Sequence, residues 1–188
     1  MSGTATIHEA QLTPSKLELL AQWLPSQPWF TGDAGDLERV ASFRFVDPDG
    51  EVGIETMIVR SGGVVYQVPL TYRDEALDGE DAYLVGTTDH SVLGKRWVYD
   101  ATGDPVYVAE LIRVIHEADN EADLSRGEKS MTVVGSGITL VSNASMEAAR
   151  LVRVLDGEHI HTAVPLGTLT GTWTEGGEER TEVLATIR

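Results

Sequence analysis

The sequence predicts an α+β protein: a curved antiparallel sheet packed by two helices and followed by additional antiparallel strands. Three observations predict it. Two segments place apolar residues at helical spacing behind a capping residue and a proline. The stretch between them changes to a period of two. Glycine-bearing turns join its strand-like runs.

The first helix is expected in "TPSKLELLAQWLP". Thr13 suits the N-cap and Pro14 the first helical position, where a missing N–H costs nothing. Leu17, Leu20, Ala21 and Leu24 fall on one face, and Pro25 ends the run. The turn-rich link "PWFTGDAGD" follows. Residues 37–75 then read as three strands joined by "DPDG" and "RSGG", both with the glycines that tight hairpins need. In the third, Val64, Tyr66, Val68, Leu70 and Tyr72 alternate with a mixed set, which predicts a sheet covered on one side, with both helices on that side. Pro69 lacks a ladder donor, so the strand is expected to be at an edge or bulged there.

A loop and one or two short strands lead to the second helix, "DPVYVAELIRVIHEAD". Asp104 or Thr102 caps it, Pro105 opens it, and Val108, Leu111, Ile112 and Ile115 form its buried stripe. "EADNEADLSRGEKS" is acidic and almost free of apolar residues, a linker or exposed loop. The expected organisation is therefore a domain over 1–118, a loop or linker over 119–130, and a β-rich extension over 131–188 packed on the first. "LDGEHI" and "TEGGEE" mark hairpins in that extension.

Thirty acidic residues against 14 basic ones give the 188-residue chain a net charge of −16. Such a field repels phosphate backbones and anionic lipid, so nucleic-acid and membrane-surface partners are not expected. Cysteine is absent, which excludes disulfide frameworks, thiol catalysis and cysteine-based zinc sites. The first residues lack the charged and apolar regions of a signal peptide, and no apolar run is long enough to span a bilayer; a cytoplasmic protein is expected.

Motifs for chemistry are sparse. His159 and His161 would share one strand face and could bind a divalent metal, but no third ligand stands at a matching spacing, so two solvated histidines is the favoured reading. "VVGSGITLV" is followed by strand-like residues, so a hairpin is expected there in place of a phosphate loop. "GDAGD" lacks the span and terminal glutamate of a calcium loop. Asp89-His90-Ser91 is no triad, because catalytic groups must converge in space. Lys95 and Arg96, the chain's only Lys-Arg pair, stand beside Trp97 and could grip an anionic partner or form a solvated rim. Trp23, Trp29, Phe30 and Trp97 are expected to plug the space between helices and sheet; alternatively, Trp29 and Phe30 stay open to a sugar or a protein. Trp29, Phe30, Lys95, Arg96 and Trp97 are thus the candidate binding residues. No catalytic residue and no cofactor is expected.

The succession "WLPSQPWFTGD", "YQVPLTYRDE" and "YLVGTTDHSVLGKRWVYDATGDPVYVAELI", over residues 14–118, resembles the N-terminal cap domain of bacterial maltokinases. The resemblance implies a cystatin-like curved sheet. It also implies a link to enzymes that phosphorylate maltose and feed glycogen or glucan synthesis from trehalose. In that family the aromatic pair is followed by glycine and basic residues; here Thr31, Gly32, Asp33, Ala34, Gly35 and Asp36 follow. The C-terminal region carries no "HxD…N" loop or "DxD" pair for phosphoryl transfer. The expectation is a stand-alone, non-catalytic cap-like protein serving a sugar kinase or another trehalose- or glycogen-pathway enzyme. Two alternatives stay open: a sugar-binding protein using the concave sheet face, and a cryptic sugar kinase or glucan-modifying enzyme.

Overall fold

The computed structural model describes residues 3–138, 149–155 and 164–188. Two short strands, β1 (Thr4–Ala5) and β2 (Leu12–Thr13), precede helix α1 (Lys16–Trp23). Ser15, not Thr13, is the N-cap. Its hydroxyl accepts from the Glu18 N–H while the Glu18 carboxylate accepts from the Ser15 N–H, a reciprocal box that the sequence reading missed by starting the helix too early.

Strands β3 (Glu38–Val46), β4 (Gly53–Ser61) and β5 (Val64–Arg73) form the expected meander. In the first turn, Asp47 accepts from the N–H groups of Asp49, Glu51 and Val52. In the second, Gly62 and Gly63 take φ of 58° and 85°, which a two-residue hairpin demands and side-chain-bearing residues resist. Strands β6 (Leu84–His90) and β7 (Gly94–Asp100) complete a six-stranded antiparallel sheet ordered β2-β6-β7-β5-β4-β3. The sheet curls strongly into a half-barrel, with register breaks near Val40 and Val85 that bend the outer strands. Pro69 sits in a gap: beside it β5 pairs with β7 only from Leu70 onward, and with the segment around Val154 only up to Gln67.

Helix α2 (Pro105–Glu117) is capped by Asp104, which accepts from the Val106 N–H and also binds Arg73 through both carboxylate oxygens at 2.7 and 2.8 Å. Past it come β8 (Asp123–Leu124), β9 (Met131–Gly135), β10 (Ala149–Leu151), β11 (Gly167–Glu175) and β12 (Glu178–Ile187). The last four form a second antiparallel sheet ordered β10-β12-β11-β9, and β8 pairs in parallel with β1. Gly176 and Gly177 make the final hairpin as its sequence implies. The "LDGEHI" hairpin and the residues after Ile138 in "VVGSGITLV" fall outside the described residues.

The six-stranded sheet is covered on both faces, and here the one-sided expectation fails. On one face Met57, Val59, Tyr66, Val68 and Leu70 pack against Leu19, Leu20, Trp23 and Leu24 of the first helical segment. On the other, Ile54, Ile58 and Val65 meet Tyr107, Leu111, Val114 and Ile115 of α2, together with Leu169, Trp173 and Leu184 of the second sheet. The helices therefore lie on opposite faces. Alternation along β4 and β5 sends neighbouring residues to different cores, which a "mixed" face can hide when its polar members are satisfied. Gln67 is such a member. Fully buried, it donates its side-chain amide to the carbonyls of Val152 and Leu184, both at 2.8 Å, and so ties the two sheets together.

The acidic segment after α2 is pinned along its length. Ala122 donates its N–H to the Arg44 carbonyl, Ser130 exchanges hydrogen bonds with the backbone of Ser42, and buried Glu121 accepts from the Val133 N–H and from Lys129. No helix among the described residues is long and apolar enough to cross a membrane.

Candidate functional site

The aromatic stretch closes the α1 face of the sheet. Its prolines break the helix and turn the chain back, so that Trp29 stands 6.0 Å from Trp23 and 6.1 Å from Tyr66, and Phe30 stands 5.0 Å from Tyr66, centroid to centroid. The Arg153 guanidinium lies 4.8 Å over the Trp29 ring. Both Trp29 and Phe30 are half-buried. The acidic residues that follow have local duties: Asp33 accepts from the Gly35 N–H and exchanges backbone hydrogen bonds with the Ser61 hydroxyl, and Thr31 bonds the Tyr66 hydroxyl. Gly32 must be glycine, since a Cβ there would fall 2.4 Å from Ser61 Oγ.

Chemistry collects elsewhere, where the strand ends, the first residues of α1 and the N-terminal strap meet. Glu55, 2% exposed, points from β4 to the α1 face. It accepts from Lys16 at the helix start, from Arg44 Nη2 at 3.2 Å on the adjacent strand, and from the Tyr72 hydroxyl at 3.1 Å at the end of β5. Register explains the meeting: Arg44 is directly across from Glu55, and Tyr72, opposite Gly53, lies one pair along on the same face.

The electrostatics of this cluster are lopsided. Burial alone would raise the Glu55 carboxyl, but two cations and a hydroxyl more than offset it and hold it below the ordinary carboxylate range. For Lys16 the balance goes the other way: burial outweighs the shared attraction of one carboxylate, and Arg44 repels, so its ammonium lies below the usual lysine range. Burial and the neighbouring carboxylate push the Tyr72 phenol well up, leaving it a hydrogen-bond donor.

Lys16, Arg44 and Tyr72 form part of the wall of a cleft of about 990 Å³. The strap from Thr4 to Leu12, the β3–β4 turn, the end of β5 and the β6–β7 hairpin enclose it. His8 and His90 stand edge to face at 5.8 Å on its wall. The Nδ1 of His90 accepts from the N–H groups of Val92 and Leu93, which leaves the proton on Nε2. Burial, with His8, Arg96 and Lys16 nearby, lowers the proton affinity of this ring.

Of the candidate binding residues named from sequence, Arg96 alone among the described residues reaches the cleft. Lys95 is exposed, its ammonium 4.5 Å over the Trp97 ring on the opposite face of β7. Trp29 and Phe30 pack, half-buried, against the α1-side core and do not line the cleft. His159 and His161 lie outside the described residues. Among the described residues no three His, Asp or Glu side chains gather as for a metal ion. Sequence reasoning missed Lys16, Arg44, Glu55 and Tyr72. The one available signal was a glutamate in the middle of an otherwise apolar strand, "GIETMIVRS", which a buried charge must explain by partners.

Curled sheet, aromatic seal and two helices make up the α+β fold that the sequence implies. In agreement, residues 23–104 match the family model of the maltokinase N-terminal cap domain. The match begins at the aromatic stretch and ends at the cap of α2. It takes in Arg44, Glu55, Tyr72 and Arg96 and leaves out the strap and Lys16, so the cleft is built by the cap-like segment together with residues before it. No curated protein matches the chain.

Proposed function

We propose that the chain is a non-catalytic, maltokinase-cap-like module of the cytoplasm that binds an enzyme of maltose, trehalose or glycogen metabolism and regulates it. The observation that carries this reading is the match of residues 23–104 to the cap domain. A contact surface consistent with it is the β6–β7 hairpin tip, where Val92 and Leu93 are 57% and 44% exposed beside Lys95 on a strongly acidic chain.

The test mixes the purified chain with the sugar kinase and the trehalose-converting enzyme of the same organism. Size-exclusion chromatography at low salt reads complex formation, and the kinetics of each enzyme read regulation. A complex that Val92→Asp weakens, with a changed kcat/KM, is the expected result. Absence of any complex and of any kinetic change with either enzyme would overturn the proposal.

A further inference from the structure

We propose that the cleft beneath the N-terminal strap is a binding site for a small, hydroxyl-bearing organic anion, a carboxylate or a phosphate monoester, whose anionic oxygens are held by Lys16, Arg44 and Arg96. The cleft shares Leu93 with the hairpin tip, but the proposal does not depend on the cap-like role.

Three cations line one cleft of a chain that has only 14 bases among 30 acids. The carboxylate beneath them, Glu55, is shared between Lys16 and Arg44, so the floor keeps positive charge after the internal pairing is counted. Arg96 adds a directional donor. Its Nη2 donates to the Leu93 carbonyl at 2.5 Å, which fixes the guanidinium plane, while its Nε is buried and makes no hydrogen bond. A buried donor without an acceptor is costly, and an anionic oxygen is the acceptor that a guanidinium matches best. His90 presents an Nε2–H on the same wall, and the Tyr72 hydroxyl stands on the floor; both suit a polar ligand.

Size and rim narrow the class. A cleft of about 990 Å³ is at the upper end for small molecules. Glu51, Asp74 and Glu75 stand exposed around it and repel extended polyanions such as nucleic acid or an anionic bilayer. Asp47, the remaining lining carboxylate, is already engaged by three turn amides. A compact ligand can put its charge on the basic floor and its hydroxyls toward the acidic rim.

The experiment titrates the full chain with inorganic phosphate, with gluconate and with uncharged glucitol, by calorimetry and thermal shift at constant ionic strength. Saturable binding of phosphate or gluconate, with none for glucitol, is expected, and the stronger of the two anions identifies the source of the charge. Arg96→Gln leaves the Glu55 cluster intact and should weaken that binding by about tenfold or more, the loss of a charge-assisted hydrogen bond. Arg44→Gln, on an independent strand, should weaken it too, whereas Lys95→Gln, outside the cleft, should not. Saturable binding of neither anion, or affinities unchanged in both Arg96→Gln and Arg44→Gln, would overturn the proposal.

Discussion

Replacing Glu55 by glutamine tests whether the carboxylate organises the strand ends. The side chain keeps its size, so packing is nearly conserved. What changes is charge: Lys16 and Arg44 lose their common counter-ion, although an amide oxygen in the place of Oε2 can still accept their hydrogen bonds. Breaking a buried ion pair costs about 3–5 kcal/mol when the orphaned charge stays dry. Here the orphans are 21% and 22% exposed and regain some water, so the expected loss is smaller, about 2–3 kcal/mol. For a chain of this length that is a fall in Tm of roughly 4–12 °C. The pH dependence gives a second handle. Glu55 has a depressed pKa in the folded state, so its contribution is present above the unfolded carboxyl pKa and is lost as pH falls through the folded value. Urea unfolding of both proteins between about pH 7 and about pH 3 should therefore show a gap that closes toward acid. Equal stability at neutral pH, or a gap that stays constant across the range, would refute the reasoning.

Gln67→Leu should cost about 1–3 kcal/mol in urea unfolding, because two buried carbonyls lose their donor, and amide exchange at Gln67 and Leu155 should quicken as the sheets loosen. Asp104→Ala removes the α2 cap and orphans Arg73, for a loss of about 3–5 kcal/mol; chemical unfolding reads the loss. Gly32→Ala should cost about 1–3 kcal/mol by forcing the Ser61 side chain away from Asp33, and calorimetric unfolding measures it.

Much of the architecture follows from local chemistry. Asp104-Pro105 starts α2, the Gly-Gly pairs at 62–63 and 176–177 turn hairpins, and the prolines at 25 and 28 stop α1 and swing Trp29 and Phe30 onto Tyr66. Each of these rests on a residue and its near neighbours, which a linear string records. The start of α1 was misplaced by two residues because Thr13 and Ser15 are both capping types, and only the reciprocal bond with Glu18 distinguishes them.

Which face each helix covers, and that a core forms on both faces of the sheet, depended on contacts between segments far apart in the chain. Gln67 reads as a polar residue on a half-wet face until Val152 and Leu184 are brought to its amide. The cleft was hidden for the same reason. Lys16, Arg44, Glu55, Tyr72 and Arg96 come from a helix start and four strands, and no spacing in the sequence links them. Composition and periodicity determined that the chain makes an acidic antiparallel layer with two helices. Strand register and sheet curl, long-range properties set by the whole core, decided which charged groups share a cleft and which are sealed away.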